Sequence, residues 1–233
     1  MKFLIKFPTR GRVDKFFDVL NKYIEYFSDE NEYEILVSCD DDDEQMNNSE
    51  VMELLESYDN LSYYFGPRDS KVGAVNRDMD KAPDDYDILI QPSDDMFPVQ
   101  EDYDVRIAKE MEECFPDGDG VVWFFDGYNN RTDTLTIMGK KYYERFNYLY
   151  YPGYTTWFCD TELTEVANLL DRLVFVNEIL IRHEHPDWTH AKGHDSQRRG
   201  YDQVYIDNDK EDDRHRDEQI FNERKANNFN LDL

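Results

Sequence analysis

Apolar residues along this chain follow two alternating rhythms. Short contiguous runs at residues 2–7, 33–38, 61–65 and 86–91 have the length and composition of buried strands. Between them the spacing becomes helical. Phe16, Phe17, Leu20, Tyr23, Ile24 and Phe27 recur on one face. Asn47-Asn48-Ser49-Glu50 opens a helix over 51–58, and 71–79 reads as a shorter one. Strand and helix in strict alternation predict an α/β fold built on a doubly wound, mostly parallel sheet.

The second half is less regular. Residues 103–114 predict a helix, broken by Pro116-Asp117-Gly118-Asp119-Gly120. A buried strand follows at 121–125, and 134–138 alternates weakly, as an edge or hairpin strand would. A short helix at 139–147, an aromatic loop at 148–154, a helix at 160–170 and short strands at 173–176 and 179–182 come next. Residues 189–200 are polar. Residues 201–225 are highly charged, with Tyr205 and Phe221 as sparse apolar anchors. The expected organisation is one domain over 1–188. A flexible loop and a charged helical tail, 189–233, pack on it.

Composition narrows the class. The chain has 233 residues and is 39% hydrophobic, enough for a core. Its net charge is −27, from 53 acids and 26 bases, a field that repels free polyanions and anionic membranes. Cys39, Cys114 and Cys159 are few, odd in number and far apart, which predicts neither a disulfide framework nor a zinc site. There is no signal-peptide core and no apolar run of membrane-spanning length, so a cytoplasmic protein is expected.

The chemistry gathers where predicted strands end. The run Ile88-Leu89-Ile90-Gln91 passes through Pro92 and Ser93 into two adjacent carboxylates, Asp94 and Asp95. The strand at 33–38 runs into Cys39-Asp40-Asp41, and the first strand into Pro8-Thr9-Arg10. In an open α/β sheet, ligands bind beyond the carboxyl ends of the strands. Carboxylates placed there suit a hard divalent cation. No basic side chain adjoins the Asp94 motif in sequence, so a cation is the expected neutraliser of an anionic ligand.

Taken in order, Pro-Thr-Arg after strand one, Cys-Asp-Asp after strand two, Gly73-Ala74-Val75-Asn76-Arg77, and Ser93-Asp94-Asp95-Met96-Phe97-Pro98 resemble the GT-A glycosyltransferases. The likeness is to the family-2-like branch, small bacteriophage-encoded members included, and covers roughly residues 2–188. It implies that Pro8, Thr9 and Arg10 line the nucleotide base and that Asp40 contacts base or ribose. Asn76 and Arg77 would lie near ribose or diphosphate. Asp95 would be the metal ligand of a DxD motif whose first acid is replaced here by Ser93, with Asp94 between them. His183 would complete the metal site, with His185 as the alternative. Asp160, opening a later helix, would be the general base. Tyr151, Tyr154 and Trp157 would offer the acceptor an aromatic platform, and the loop 189–200, with Lys192, Arg198 and Arg199, would close over the diphosphate.

The function so implied is a Mn²⁺- or Mg²⁺-dependent inverting glycosyl transfer from a nucleotide-diphosphate sugar, with a UDP-sugar expected. The acceptor would be a hydroxymethylated base of phage DNA, in the host cytoplasm, or a saccharide or small molecule; Lys140, Lys141, Arg145, Arg198, Arg199, Arg214 and Arg216 are the bases available to DNA. Two other readings stay open. A nucleotidyltransferase also uses strand-end acids, but would want a glycine-rich loop after strand one. A catalytically silent nucleotide-sugar or lectin-like module would share the fold.

Overall fold

The computed structural model describes residues 1–186, 202–208 and 210–231. Among them the strands are β1 (Lys2–Thr9), β2 (Glu32–Asp40), β3 (Leu61–Gly66), β4 (Ile88–Gln91), β5 (Met96–Pro98), β6 (Val121–Phe124), β7 (Thr136–Gly139), β8 (Leu173–Val176) and β9 (Ile181–His183). The helices are α1 (Val13–Glu25), α2 (Ser49–Glu56), α3 (Lys71–Asn76), α4 (Tyr103–Cys114), α5 (Lys140–Phe146), α6 (Cys159–Leu169), α7 (Gln203–Asn208) and α8 (Glu211–Ala226). Seven strands form one sheet in the order β3-β2-β1-β4-β7-β6-β8, and β5 and β9 form a separate antiparallel ribbon.

β1 pairs in parallel with both β2 and β4, and β2 with β3, so their carboxyl ends share one rim. β1 is buried on both faces. Phe3, Ile5 and Phe7 meet Phe16, Val19, Leu20 and Tyr23 of α1, while Leu4 joins Leu36, Leu89 and the α3 residues Val72 and Val75. Two covered faces explain why β1 reads as a nearly continuous apolar run. Much of the aromatic content serves this core through edge-on pairs such as Phe7–Phe16 at 5.7 Å and Tyr23–Tyr103 at 5.5 Å.

The weakly alternating segment at 134–138 pairs antiparallel with β6, the strand before it in the chain, as a hairpin strand does; only the edge alternative is corrected. Its strand, β7, is not at an edge but lies between β4 and β6, antiparallel to both, with all four residues buried. A strand covered on both faces has no polar side to display. The ribbon strand β5 was not expected at all, because three residues after two acids carry too short a pattern to register.

Lys6 is fully buried in β1. Its ammonium donates to Ser38 Oγ at 2.6 Å, and that hydroxyl donates to Asp78 Oδ2 at 2.6 Å. Burial pulls the Lys6 pKa down to about 7, against the pull of Asp78. Below that value the side chain is charged in the folded and unfolded chain alike, and its burial penalty stands in full. Between there and the unfolded value near ~10.4 the unfolded chain holds more protons, so this group's contribution to stability improves as pH rises. Lys6→Met is therefore expected to stabilise the fold by about 1–4 kcal/mol near pH 6, with the gain shrinking toward pH 9. Urea titrations of both proteins across that range check it; a gain that is flat or grows with pH would contradict the assignment.

Candidate active site

The first turn beyond the sheet, between β1 and α1, reverses at Gly11, whose φ of +64° is costly for any residue with a side chain. Its amide donates to Asp43 Oδ2 at 2.7 Å, tying this turn to the loop after β2. The reversal sends Arg10 and Arg12 in different directions. Arg10 donates to Asp40 Oδ2 at 2.9 Å and also bonds Asp42. Arg77, just past α3, donates to the other Asp40 oxygen at 3.1 Å and to the backbone carbonyl of Cys39 at 2.5 Å. Asp40 is thus a buried carboxylate held between two guanidinium groups at the end of β2. Each of its oxygens keeps lone-pair capacity for a ligand. Pro8 and Thr9 lie alongside, and the buried Thr9 hydroxyl has no hydrogen-bond partner among the described residues.

Beyond β4, Asp95 is the convergence point. It is 8% exposed. Its Oδ1 accepts from the Ser93 hydroxyl, and its Oδ2 accepts from the Tyr205 hydroxyl at 2.7 Å and lies 3.5 Å from His183 Nε2. Burial alone would raise its pKa, but His183, Ser93 and Tyr205 outweigh that and hold the carboxyl far below its usual range. The β5–β9 ribbon places the pair, because Met96 and His183 are register partners and the Glu184 amide donates to the Asp95 carbonyl at 2.7 Å. On the far side, His183 Nδ1 lies 3.7 Å from Asp126 Oδ2. Burial would lower the His183 pKa; the carboxylates of Asp126 and Asp95 push it up to about 9. His185 packs on His183 and on Tyr205, with ring centroids at 5.6 Å and 4.9 Å.

Asp94 points elsewhere. Its carboxylate accepts from Arg12 at 2.7 Å. Arg12 also donates to Asp202 at 2.7 Å, and its guanidinium lies 3.9 Å from the Tyr205 ring centroid. This corrects the expectation that no basic side chain adjoins the motif: Arg12, distant in sequence, is brought there by the turn. The segment 202–208 then faces Arg10, Gly11, Asp43 and Gln45 across a cleft of about 620 Å³, open solvent included.

A continuous chain of contacts leads from this cluster to Asp160. The Thr134 hydroxyl donates to Asp126 Oδ2 at 2.6 Å. The amide of the adjacent Asp133 donates to Thr164 Oγ1 at 2.9 Å, and that hydroxyl donates to the Asp160 carbonyl at 2.8 Å. Asp160 is partly exposed at the start of α6, its Oδ1 accepting from the Thr161 amide at 2.7 Å. Asp133 is fully buried, with neither carboxylate oxygen partnered among the described side chains. Burial, and then the neighbouring Asp160 charge, push its pKa well above the usual carboxylate value.

Asn76 is engaged by the aromatic loop. Its amide donates to the Tyr150 carbonyl at 2.7 Å, and its oxygen accepts from the amides of Leu149 and Tyr150, so it pins the aromatic loop. Within that loop Tyr154 is 1% exposed and donates to Glu162 at 2.6 Å, a core residue and not a platform face. The proposed lid, 189–200, lies outside the described residues. Arg12, Asp126, Asp133, Asp202 and Tyr205 were not singled out for the site by the sequence. Only Asp126, an acid followed by glycine at a strand end, carried a local signal.

Among the described residues at this rim, Asp95 and His183 are placed to hold a cation. No cluster of three or more His, Cys, Asp or Glu that could hold a metal ion is present among the described residues. That fits a cation carried largely by substrate phosphates, which takes only one or two protein ligands. The donor set agrees: an ionised carboxylate with an imidazole whose other nitrogen faces a carboxylate suits Mn²⁺.

A mostly parallel sheet with one antiparallel strand, β7, set inside it and an acid-bearing rim give the chain a GT-A-like fold. No family model and no curated protein matches the sequence, but solved structures do. The chain superposes on the mannosyltransferase PcManGT from Pyrobaculum calidifontis, solved with GDP-Man and Mn²⁺, at a TM-score of 0.63 and 14% identity, over 79% of this chain and 57% of that one. It superposes on S. aureus TarS 1-349 in complex with UDP at 0.62 and 14% identity, over 80% and 61%. A mutant Drosophila β-1,4-galactosyltransferase 7 with manganese, UDP-Gal and xylobiose matches at 0.51 and 12% identity, over 88% and 78%. The chain therefore spans about three fifths of the length of the first two.

Proposed function

We propose that this protein is a metal-dependent inverting glycosyltransferase using a nucleotide-diphosphate sugar, with UDP as the expected carrier. The observation that carries the reading is the Asp95–His183 pair, 3.5 Å apart at the carboxyl end of β4, on the rim that also bears Asp40. Asp40, clamped by Arg10 and Arg77, and the cleft beside Arg10 would receive the nucleoside. Asp95 and His183 would hold the cation, which, when bound, neutralises charge growing on the departing diphosphate. Arg12 stands beside them as a second source of positive charge. Asp160 takes the proton of the acceptor hydroxyl while that oxygen bonds to the anomeric carbon and the bond to the diphosphate breaks. In-line displacement of this kind inverts the anomeric centre.

The acceptor we put first is a hydroxyl of a saccharide or small molecule. Of the bases that could have met DNA phosphates, Lys141 and Arg145 are paired with Asp117 and Asp119, Arg214 lies over Trp157, and Lys140 and Arg216 donate to backbone carbonyls. Arg198 and Arg199 lie outside the described residues. DNA affinity rests on bases free to displace counterions. No described helix is long and apolar enough to cross a membrane, and we place the activity in the cytoplasm.

Incubating the protein with a panel of sugar nucleotides and Mn²⁺, and detecting freed nucleoside diphosphate, tests the reading. At least one donor should release diphosphate in a metal-dependent way; tight UDP binding with no turnover across the panel, acceptors included, would instead mark a binding module. Tyr205 gives a second test. Its hydroxyl competes with a cation for Asp95, so Tyr205→Phe, which keeps the ring on Arg12, should tighten Mn²⁺ binding in the presence of UDP by roughly tenfold, the worth of a hydrogen bond to a charged group. Calorimetric titration measures it, and weaker binding would show that the hydroxyl assists the site.

A further inference from the structure

The helix α8 is highly charged in sequence, and one face of it lies along the segment that leads into Asp160. Asp217 is fully buried, and its carboxylate accepts from the Thr155 amide at 3.0 Å, the Thr155 hydroxyl at 2.8 Å, and the amides of Thr156 and Trp157 at 2.9 Å each. Successive backbone N–H groups turned toward one point make an anion-holding nest, and here the anion comes from another helix. One turn on, Phe221 stacks on Phe158, centroids 5.3 Å apart. Another turn on, Arg224 bonds the buried Glu162 of α6 through both oxygens, at 2.8 Å and 3.0 Å. Positions 217, 221 and 224 share one helix face.

The segment so gripped ends at Asp160. Phe158, immediately before α6, has a φ of +63°. A bulky residue in the left-handed region persists only where its surroundings hold it. The described neighbours that hold it are Phe221 beside it, Asp217 before it and Arg224 after it. The same turn is fixed on its other side by α3, whose Val72 amide donates to the Thr155 carbonyl at 3.0 Å.

We infer that Asp217 is a positioning residue for the reaction: through the nest at residues 155–157 it sets the first turn of α6, and with it the direction of the Asp160 carboxylate. This rests on Asp160 as the general base proposed above. Asp217 touches no substrate; it acts through the backbone of the turn.

Asp217→Asn in the full chain tests this by two measurements. Hydrogen exchange should speed up at least tenfold at the amides of 155–163 and stay within twofold in β1, β2 and β4. Metal-dependent release of diphosphate from a UDP-sugar should show kcat reduced tenfold or more, with donor KM within twofold, and no further loss when Asp217→Asn is added to Asp160→Asn. Unchanged exchange at 155–163, acceleration spread evenly over the chain, or losses that multiply in the double variant would each overturn the inference. If Asp217→Asn does not fold, Thr155→Val removes the hydroxyl donor alone and should produce the same local pattern in smaller degree. Should wild-type protein release no diphosphate from any donor, the enzyme reading fails and the exchange result alone decides whether α8 sets this turn.

Discussion

Asp95→Ala is expected to remove metal-dependent diphosphate release, a loss of about a thousandfold or more, with the fold intact. A Lewis-acidic cation at a departing phosphate supplies several kcal/mol of charge stabilisation, and each ~1.4 kcal/mol is a factor of ten in rate. Among the described residues Asp95 is the carboxylate that meets both Ser93 and His183, and Asp94 cannot stand in because Arg12 holds it. The core packs through β1, β2 and β4 without Asp95, so the melting temperature should shift by only a few degrees. Rates for wild-type and variant protein with Mn²⁺, and with EDTA, give the answer. A variant within tenfold of wild type would mean that the cation, if one is used, sits elsewhere.

Asp160→Asn should cost about a hundred- to ten-thousandfold in kcat, the range for a positioned general base, while donor and Mn²⁺ affinities change little. The amide keeps the shape and the bond from the Thr161 amide but cannot take a proton. Asp133 nearby is fully buried, out of reach of an acceptor in solvent. The signature is a fall in kcat without a rise in donor KM. A parallel rise in KM would move Asp160 into the donor site, and unimpaired turnover would remove it from the chemistry.

What the sequence revealed follows from the range of each signal. The strand ends at Thr9, Asp40 and Asp95 were readable because an apolar run and the acids after it are neighbours in the chain. The alternation of strand and helix fixed that these ends lie together. Arg12 was invisible as a partner of Asp94 because only a turn reversing at Gly11 carries it there. Tyr205 meets Asp95 across more than a hundred residues, and charged flanks disguised it as part of a tail. Between the edge and hairpin placements left open for β7 the sequence could not choose, because burial on both faces removes the alternation that locates a strand. The docking of α8 left no hydrophobic stripe, because carboxylate, guanidinium and one phenyl ring do the work of an apolar face.

That docking bears on where the polypeptide could be shortened. A chain cut after Lys210 would retain the seven-stranded sheet and the cleft beside Arg10. It would leave the amides of residues 155–157 open to water and Glu162 buried without its counter-ion. The half proposed to bind the nucleotide would keep its structure, while the turn that carries the proposed base Asp160 would fray. On the function proposed here, α8 belongs to the reaction centre's architecture as much as β1 does.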